Sequence, residues 1–167
     1  MAHLFEHLMF TGTEKVPDGE LDRRIEALGG RINAAPWLDW TQYYVDAPYQ
    51  GIEEVITLES DRYQRLVLDR ERLESEREVV LNERREHVDN EPDGRLTEIL
   101  WQLAFDGHPY GNPTIGWHEH IRAITFEECR AFHQRYYAAD QTILVVTGRF
   151  DPDRVLSRLE QEYAFLE

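Results

Sequence analysis

The sequence has 167 residues, with 33 Asp and Glu against 18 Lys and Arg, and a formal net charge of −15. This is enough chain for one domain with a sizeable core, and such a charge repels nucleic-acid phosphates and anionic membranes, which sets both aside as partners. No run approaches the roughly 18 apolar residues of a spanning helix, and the single cysteine, Cys129, excludes an internal disulfide and reads as a small buried hydrophobe on a helix.

Residues 2–10 predict a short helix with Leu4, Leu8 and Met9 apolar, followed by a turn-rich loop, "TGTEKVPDG", over 11–19. A second helix over 19–28 stops at Gly29-Gly30. Residues 31–47, "RINAAPWLDWTQYYVDA", are rich in aromatic and β-branched residues and predict extended chain interrupted at Pro36. Trp37, Trp40, Tyr43 and Tyr44 in this stretch read as core packing.

Helix is predicted again over 49–67, and over 70–88, the most charged stretch, where Leu73, Val80 and Leu81 form a thin apolar stripe. A helix over 94–105 leads into the Gly/Pro-rich loop 106–116, and another helix covers 125–137. "QTILVVTG" over 141–148 is the clearest buried strand, and Asp151 caps a last helix that has Pro152 in its first turn. Several helices and few strands in mixed order predict an α+β or two-layer α/β sandwich fold in a single domain, 1–167.

The chemistry concentrates near the start. His3 and His7 are four residues apart, so on a helix they share a face and aim two imidazole nitrogens at one point. Glu6 sits beside that point and can take a proton from a water that a cation has acidified. A catalytic zinc site needs a third protein ligand and an open position. The helix over 70–88 offers Glu76 and Glu83, seven apart on one face, and His87, four residues beyond Glu83; Glu74, Glu78 and Glu86 project elsewhere. Spacing leaves the choice among the three open. His108, His118, His120 and His133 read as ordinary histidines, and Asn33 as either a turn residue or part of a strand edge.

"HLFEH" at 3–7 resembles the H-x-x-E-H signature of the inverzincin zinc peptidases, the family of pitrilysin, insulin-degrading enzyme and the mitochondrial processing peptidase. In that family a glutamate about 76 residues after the second histidine completes the zinc site, and here that position is Glu83. "GGRINAAPWLDWTQYY" (29–44), "HPYGNPTIGWHEHI" (108–121) and "FHQRYYAADQTILVVTGRFDP" (132–152) are similar to further segments of the family, in the same order. Pro36 and Arg149 depart from its usual residues but touch no ligand.

The resemblance implies a zinc endopeptidase. His3, His7 and Glu83 would hold Zn²⁺, Glu6 would act as general base, and Glu76 would support catalysis from behind the ligands. Asn33 and Ala34 would lie on a strand edge that receives a peptide or unfolded protein substrate. It implies a processing-peptidase-like sandwich, with helices on one face of a mixed, mostly antiparallel sheet. It also implies a second homologous domain or subunit and a periplasmic or other extracytoplasmic location. Because the zinc helix begins at the second residue, strands that precede it in the family are expected to be missing, and the lone chain to be weakly active or inactive. The competing expectations are a non-catalytic partner subunit with the same fold, and an acidic interaction module without metal.

Overall fold

Local sequence signals turn most of the chain into helix. In the computed structural model, which describes residues 1–166, eight α-helices form: α1 (Ala2–Leu8), α2 (Glu20–Ala27), α3 (Ile52–Arg65), α4 (Arg70–Arg84), α5 (Pro92–Ala104), α6 (His118–Ala123), α7 (Phe126–Tyr136) and α8 (Pro152–Glu162). Strands β1 (Arg31–Pro36) and β2 (Thr41–Asp46) pair as a two-stranded sheet, so the fold is α+β. The interruption expected in the extended stretch falls at residues 37–40, and Pro36 is the last residue of β1. Among the described residues, no helix is long and apolar enough to cross a membrane.

The caps follow the sequence. Asp69 accepts from the Arg72 N–H at 2.8 Å and opens α4, and Asp151 accepts from the Asp153 and Arg154 N–H groups to open α8, with Pro152 next in line. Helix α2 closes at Gly29, which takes φ 80 and lets the Gly30 N–H reach the Ile25 carbonyl at 3.0 Å.

The chain forms two compact units, each made of separate stretches. One holds Met9–Ala34, Tyr43–Val67 and the residues from Ala131 on. Its core is Val16, Leu21, Ile25 and Leu58, with Ile32, Val45 and Val55 packed against it. Thr13 Oγ1 donates to Asp61 Oδ2 at 2.5 Å and accepts from the Val16 N–H, which satisfies polar groups that the core would otherwise bury at a cost. The Arg62 guanidinium lies 4.9 Å from the Tyr43 ring centre.

The other unit holds Met1–Leu8, Ala35–Gln42 and Leu68–Arg130. Here α1 packs on α4, and α4 runs without a break into a π-helical turn, Arg85–Asp89, against which α5 is packed. The Asn90 N–H reaches back five residues to the Arg85 carbonyl, the wider spacing that defines such a turn. Cys129 is buried on α7, as expected.

Two expectations fail. Residues 142–147 form no strand, and Ile143 and Val145 are 89 % and 78 % exposed. A continuous apolar run marks a strand that is paired and covered on both faces, and the described residues supply neither ladder nor cover. Trp37 and Trp40 are more than half exposed rather than in the core. They sit at the two ends of the hairpin turn, where the Trp37 N–H donates to the Trp40 carbonyl at 2.7 Å and the side chains project outward. Trp37 meets Trp101 edge-on, at 6.3 Å between ring centres.

Close approach of α5 to the π turn depends on Gly94. A Cβ there would stand 2.1 Å from the His87 carbonyl oxygen and 2.9 Å from Val88 Cα. Gly94→Ala should therefore destabilise the chain by about 1–3 kcal/mol despite the better helix propensity of alanine. Urea unfolding checks this, and a stabilised variant would contradict the packing.

Candidate metal centre

Helix α1 carries its polar side chains into the protein. His3, Leu4, Phe5, Glu6 and Leu8 are all buried, so His3 and Glu6 lie among apolar groups. The His3 and His7 rings are nearly perpendicular, 82° apart, with centres 4.9 Å from each other. On α4, Leu73, Val80, Leu81 and Arg84 face inward, and this orientation presents Glu76 and Glu83 to His7.

Glu83 Oε2 lies 3.5 Å from His3 Nε2 and 3.3 Å from His7 Nε2. The ligand atoms of these three residues all fall within 4.8 Å of one another. A tetrahedral cation about 2.0–2.1 Å from each ligand holds its ligands about 3.3–3.4 Å apart. The spacing of the carboxylate from both rings thus suits atoms that share a cation. Of every His, Cys, Asp and Glu among the described residues, only His3, His7 and Glu83 gather in this way. The Glu83 side chain is a third exposed, so the cluster opens to solvent on one side, as a site that admits water and substrate must.

The second nitrogen of His7 is also engaged. Its Nδ1 lies 3.3 Å from Glu76 Oε2, which fixes the tautomer that leaves Nε2 facing Glu83. This hydrogen bond is the main reason the His7 pKa is raised. His3 is pushed the other way, to about 4, chiefly by burial, so its ring is neutral and its nitrogen lone pair is available at neutral pH. His3 Nδ1 is buried with no hydrogen-bond partner.

Glu6 precedes His7 on α1. Burial raises its carboxyl to about 7, with His7 opposing the shift and Glu83 adding to it. Its Oε2 is buried with no partner in the protein. A carboxylate poised near neutrality, close enough to feel His7 and Glu83 but not among the clustered ligand atoms, suits proton transfer rather than coordination.

The structure therefore brings together His3, His7, Glu83 and Glu76, with Glu6 on the same short helix. His87 falls in the π turn, outside the cluster. Asn33 and Ala34 lie on β1 in the other compact unit, where Asn33 Oδ1 accepts from the Ala34 N–H at 2.8 Å. His108 Nδ1 accepts from the Tyr110 N–H.

Sequence reasoning overlooked Arg84, which is buried, and Arg77, which is half-buried, each the next residue after a glutamate that faces His7. The available signal was a Glu-Arg pair repeated at a seven-residue interval, 76–77 and 83–84.

A family model described as Insulinase (Peptidase family M16) matches residues 1–117. The chain belongs to this family. A second model, described as the Peptidase M16 inactive domain, matches residues 123–167. Across its whole length the chain is 29 % identical to a zinc protease, PqqE, of Helicobacter pylori, and it spans 38 % of that protein. It is also 29 % identical over 165 residues to the mitochondrial-processing peptidase subunit beta of Lentinula edodes, covering 99 % of this chain and 35 % of that one. A crystal structure of a protease from Helicobacter pylori superimposes with a TM-score of 0.95 at 30 % identity, over 99 % of this chain and 40 % of the other. The M16 chain thus spans about two fifths of the length of these relatives or less.

Glu6 couples this site to stability. Its pKa is about 7 in the fold against 4.5 for the free group, so between those values the fold holds a proton that the unfolded chain releases. The stability it lends is complete below pH 4.5 and is lost as pH rises through 7. With chelator present, Glu6→Gln should be more stable than the parent by about 1–3 kcal/mol at pH 8, with the gain shrinking toward pH 4. Urea unfolding at the two pH values measures this, and equal gains at both would contradict it.

Proposed function

We propose that this chain carries the metal-binding half of a zinc endopeptidase of the M16 family, with His3, His7 and Glu83 as the zinc ligands and Glu6 as the general base. The observation that carries the reading is the placement of Glu83 Oε2 3.5 and 3.3 Å from the two imidazole Nε2 atoms. Two imidazoles and a carboxylate are a donor set that zinc takes in catalytic sites.

When bound, zinc acidifies a water and polarises the scissile carbonyl. The chain's own residues do the rest. Glu6 accepts the water proton at its unpartnered carboxylate and hands it to the leaving amine nitrogen, and a pKa near 7 permits both steps. Glu76 holds His7 Nδ1–H, so that the ring cannot turn its lone pair away from the ligand position. The burial of α1 keeps bulk water from the inner side of the site.

For the substrate, we propose an extended peptide that adds as a strand along β1 at Asn33 and Ala34, recognised through backbone hydrogen bonds with little sequence preference. We further propose that a homologous domain or subunit completes the enzyme. One relative is named as a subunit and the chain spans about two fifths of the other, in keeping with that arrangement. The reading of the chain as a non-catalytic partner draws on the match of residues 123–167 to the inactive-domain model. The complete donor set favours catalysis.

Metal content and peptide hydrolysis test the proposal together. The purified chain should hold about one zinc, and Glu83→Gln should lose it. Glu6→Gln should keep the zinc and lower zinc-dependent hydrolysis of an unstructured peptide by at least about 100-fold, measured with a complementing domain present. A chain that binds no zinc would overturn the assignment. Hydrolysis unaffected by Glu6→Gln would remove the proposed base.

A further inference from the structure

The glutamates that face His7 each precede an arginine, and both arginines are buried or nearly so: the side chains of Arg77 and Arg84 are 11 % and 4 % exposed. Seven residues apart, they leave α4 on the same side, two turns from each other. Arg77 Nη2 donates to the Ile124 carbonyl at 2.5 Å, and Arg84 Nη1 donates to the Gly116 carbonyl at 2.9 Å. Those carbonyls flank α6, one on each side of it. The two guanidinium groups therefore grip α6 at both ends.

Arg84 is held further. Its Nη1 lies 2.8 Å from Glu98 Oε2 on α5, its Nη2 lies 3.3 Å from Asp89 in the π turn, and its guanidinium carbon is 5.7 Å from the Trp117 ring centre. Glu98 is itself buried. Replacing a buried ion pair of this kind by apolar side chains is often neutral or stabilising, so stability alone does not account for it. What it supplies is direction. A planar guanidinium that donates to a fixed carbonyl and is ion-paired with a buried carboxylate tolerates little rotation of the helix that carries it.

We infer that Arg77 and Arg84 are positioning residues: by binding the Ile124 and Gly116 carbonyls they set the rotation of α4 about its axis, and so aim Glu76 at His7 Nδ1 and Glu83 at the two Nε2 atoms. The helix behaves as a rod pinned on one side that presents its ligand and its orienting carboxylate on the other. Arg84 acts on the ligand itself because it is the next residue along. This inference rests on the zinc reading above and extends it to residues that touch no metal.

The test is the zinc affinity of the full 167-residue chain, by competition with a chromophoric chelator, for the parent, Arg84→Gln and Arg84→Lys. It is run at a temperature where circular dichroism shows each of them fully folded. The visible absorption of the Co²⁺-loaded chains reports ligand geometry in parallel. Arg84→Gln should weaken zinc about 10- to 100-fold, the usual effect of losing support behind a ligand, and should alter the Co²⁺ bands. Arg84→Lys, which keeps one donor to Gly116, should recover part of the loss. If Arg84→Gln does not fold, Glu98→Gln removes one anchor of the same guanidinium and should weaken zinc in the same direction. Folded variants with the parent's affinity and Co²⁺ spectrum would overturn the positioning role while leaving the zinc site intact. A parent chain that binds no zinc would overturn the site itself, and the inference with it.

Discussion

The arrangement depends on one carboxylate. Glu83 reaches from α4 to within 3.5 Å of two imidazole nitrogens on α1, at distances that suit ligands of a shared cation. Without a cation, the cluster combines an imidazole made neutral by burial, another kept basic by Glu76, and a Glu6 carboxyl held near neutrality. Apolar packing alone would not select such groups for the inside of a short helix. Their presence is a cost to folding, which the proposed binding of a divalent cation would offset.

Helix α1 has only seven residues, too few to be stable alone. It is held by the burial of Leu4, Phe5 and Leu8, and the same packing directs His3 and Glu6 inward. Helix α4 is the opposite case. It is highly charged, with a thin apolar stripe, and its rotation is fixed by the arginine bonds to the Ile124 and Gly116 carbonyls as well as by apolar contact. Its π-helical continuation begins two residues after Glu83 and meets α5 at Gly94, where no side chain fits. Wider turns of this kind recur at functional sites because they redirect the chain without ending the helix.

Much of this was legible in the sequence because it is local. The i, i+4 histidines, the caps at Asp69 and Asp151 and the stop at Gly29 each depend on residues within a turn or two. The pairing of Glu83 with His7, 76 residues away, was not. Spacing on α4 left Glu76, Glu83 and His87 open, and only the family resemblance favoured Glu83. Residues 141–148 read as a strand because apolar β-branched residues report a wish to be covered, not the presence of a cover. Trp37 and Trp40 misled in a similar way, since composition does not show which residues a hairpin turn will place at its tip. The arginines were hidden by their charge: on a helix so rich in Glu and Arg, solvent exposure is the default expectation, and burial depends on carbonyls that sequence does not bring near.

The most direct measurement is a crystal structure of the zinc-loaded chain with anomalous scattering recorded on both sides of the zinc absorption edge. The prediction is a single strong anomalous peak about 2.0–2.1 Å from His3 Nε2, His7 Nε2 and a Glu83 carboxylate oxygen. A peak bound by other residues, or Glu83 turned away from a metal held by the histidines alone, would contradict it.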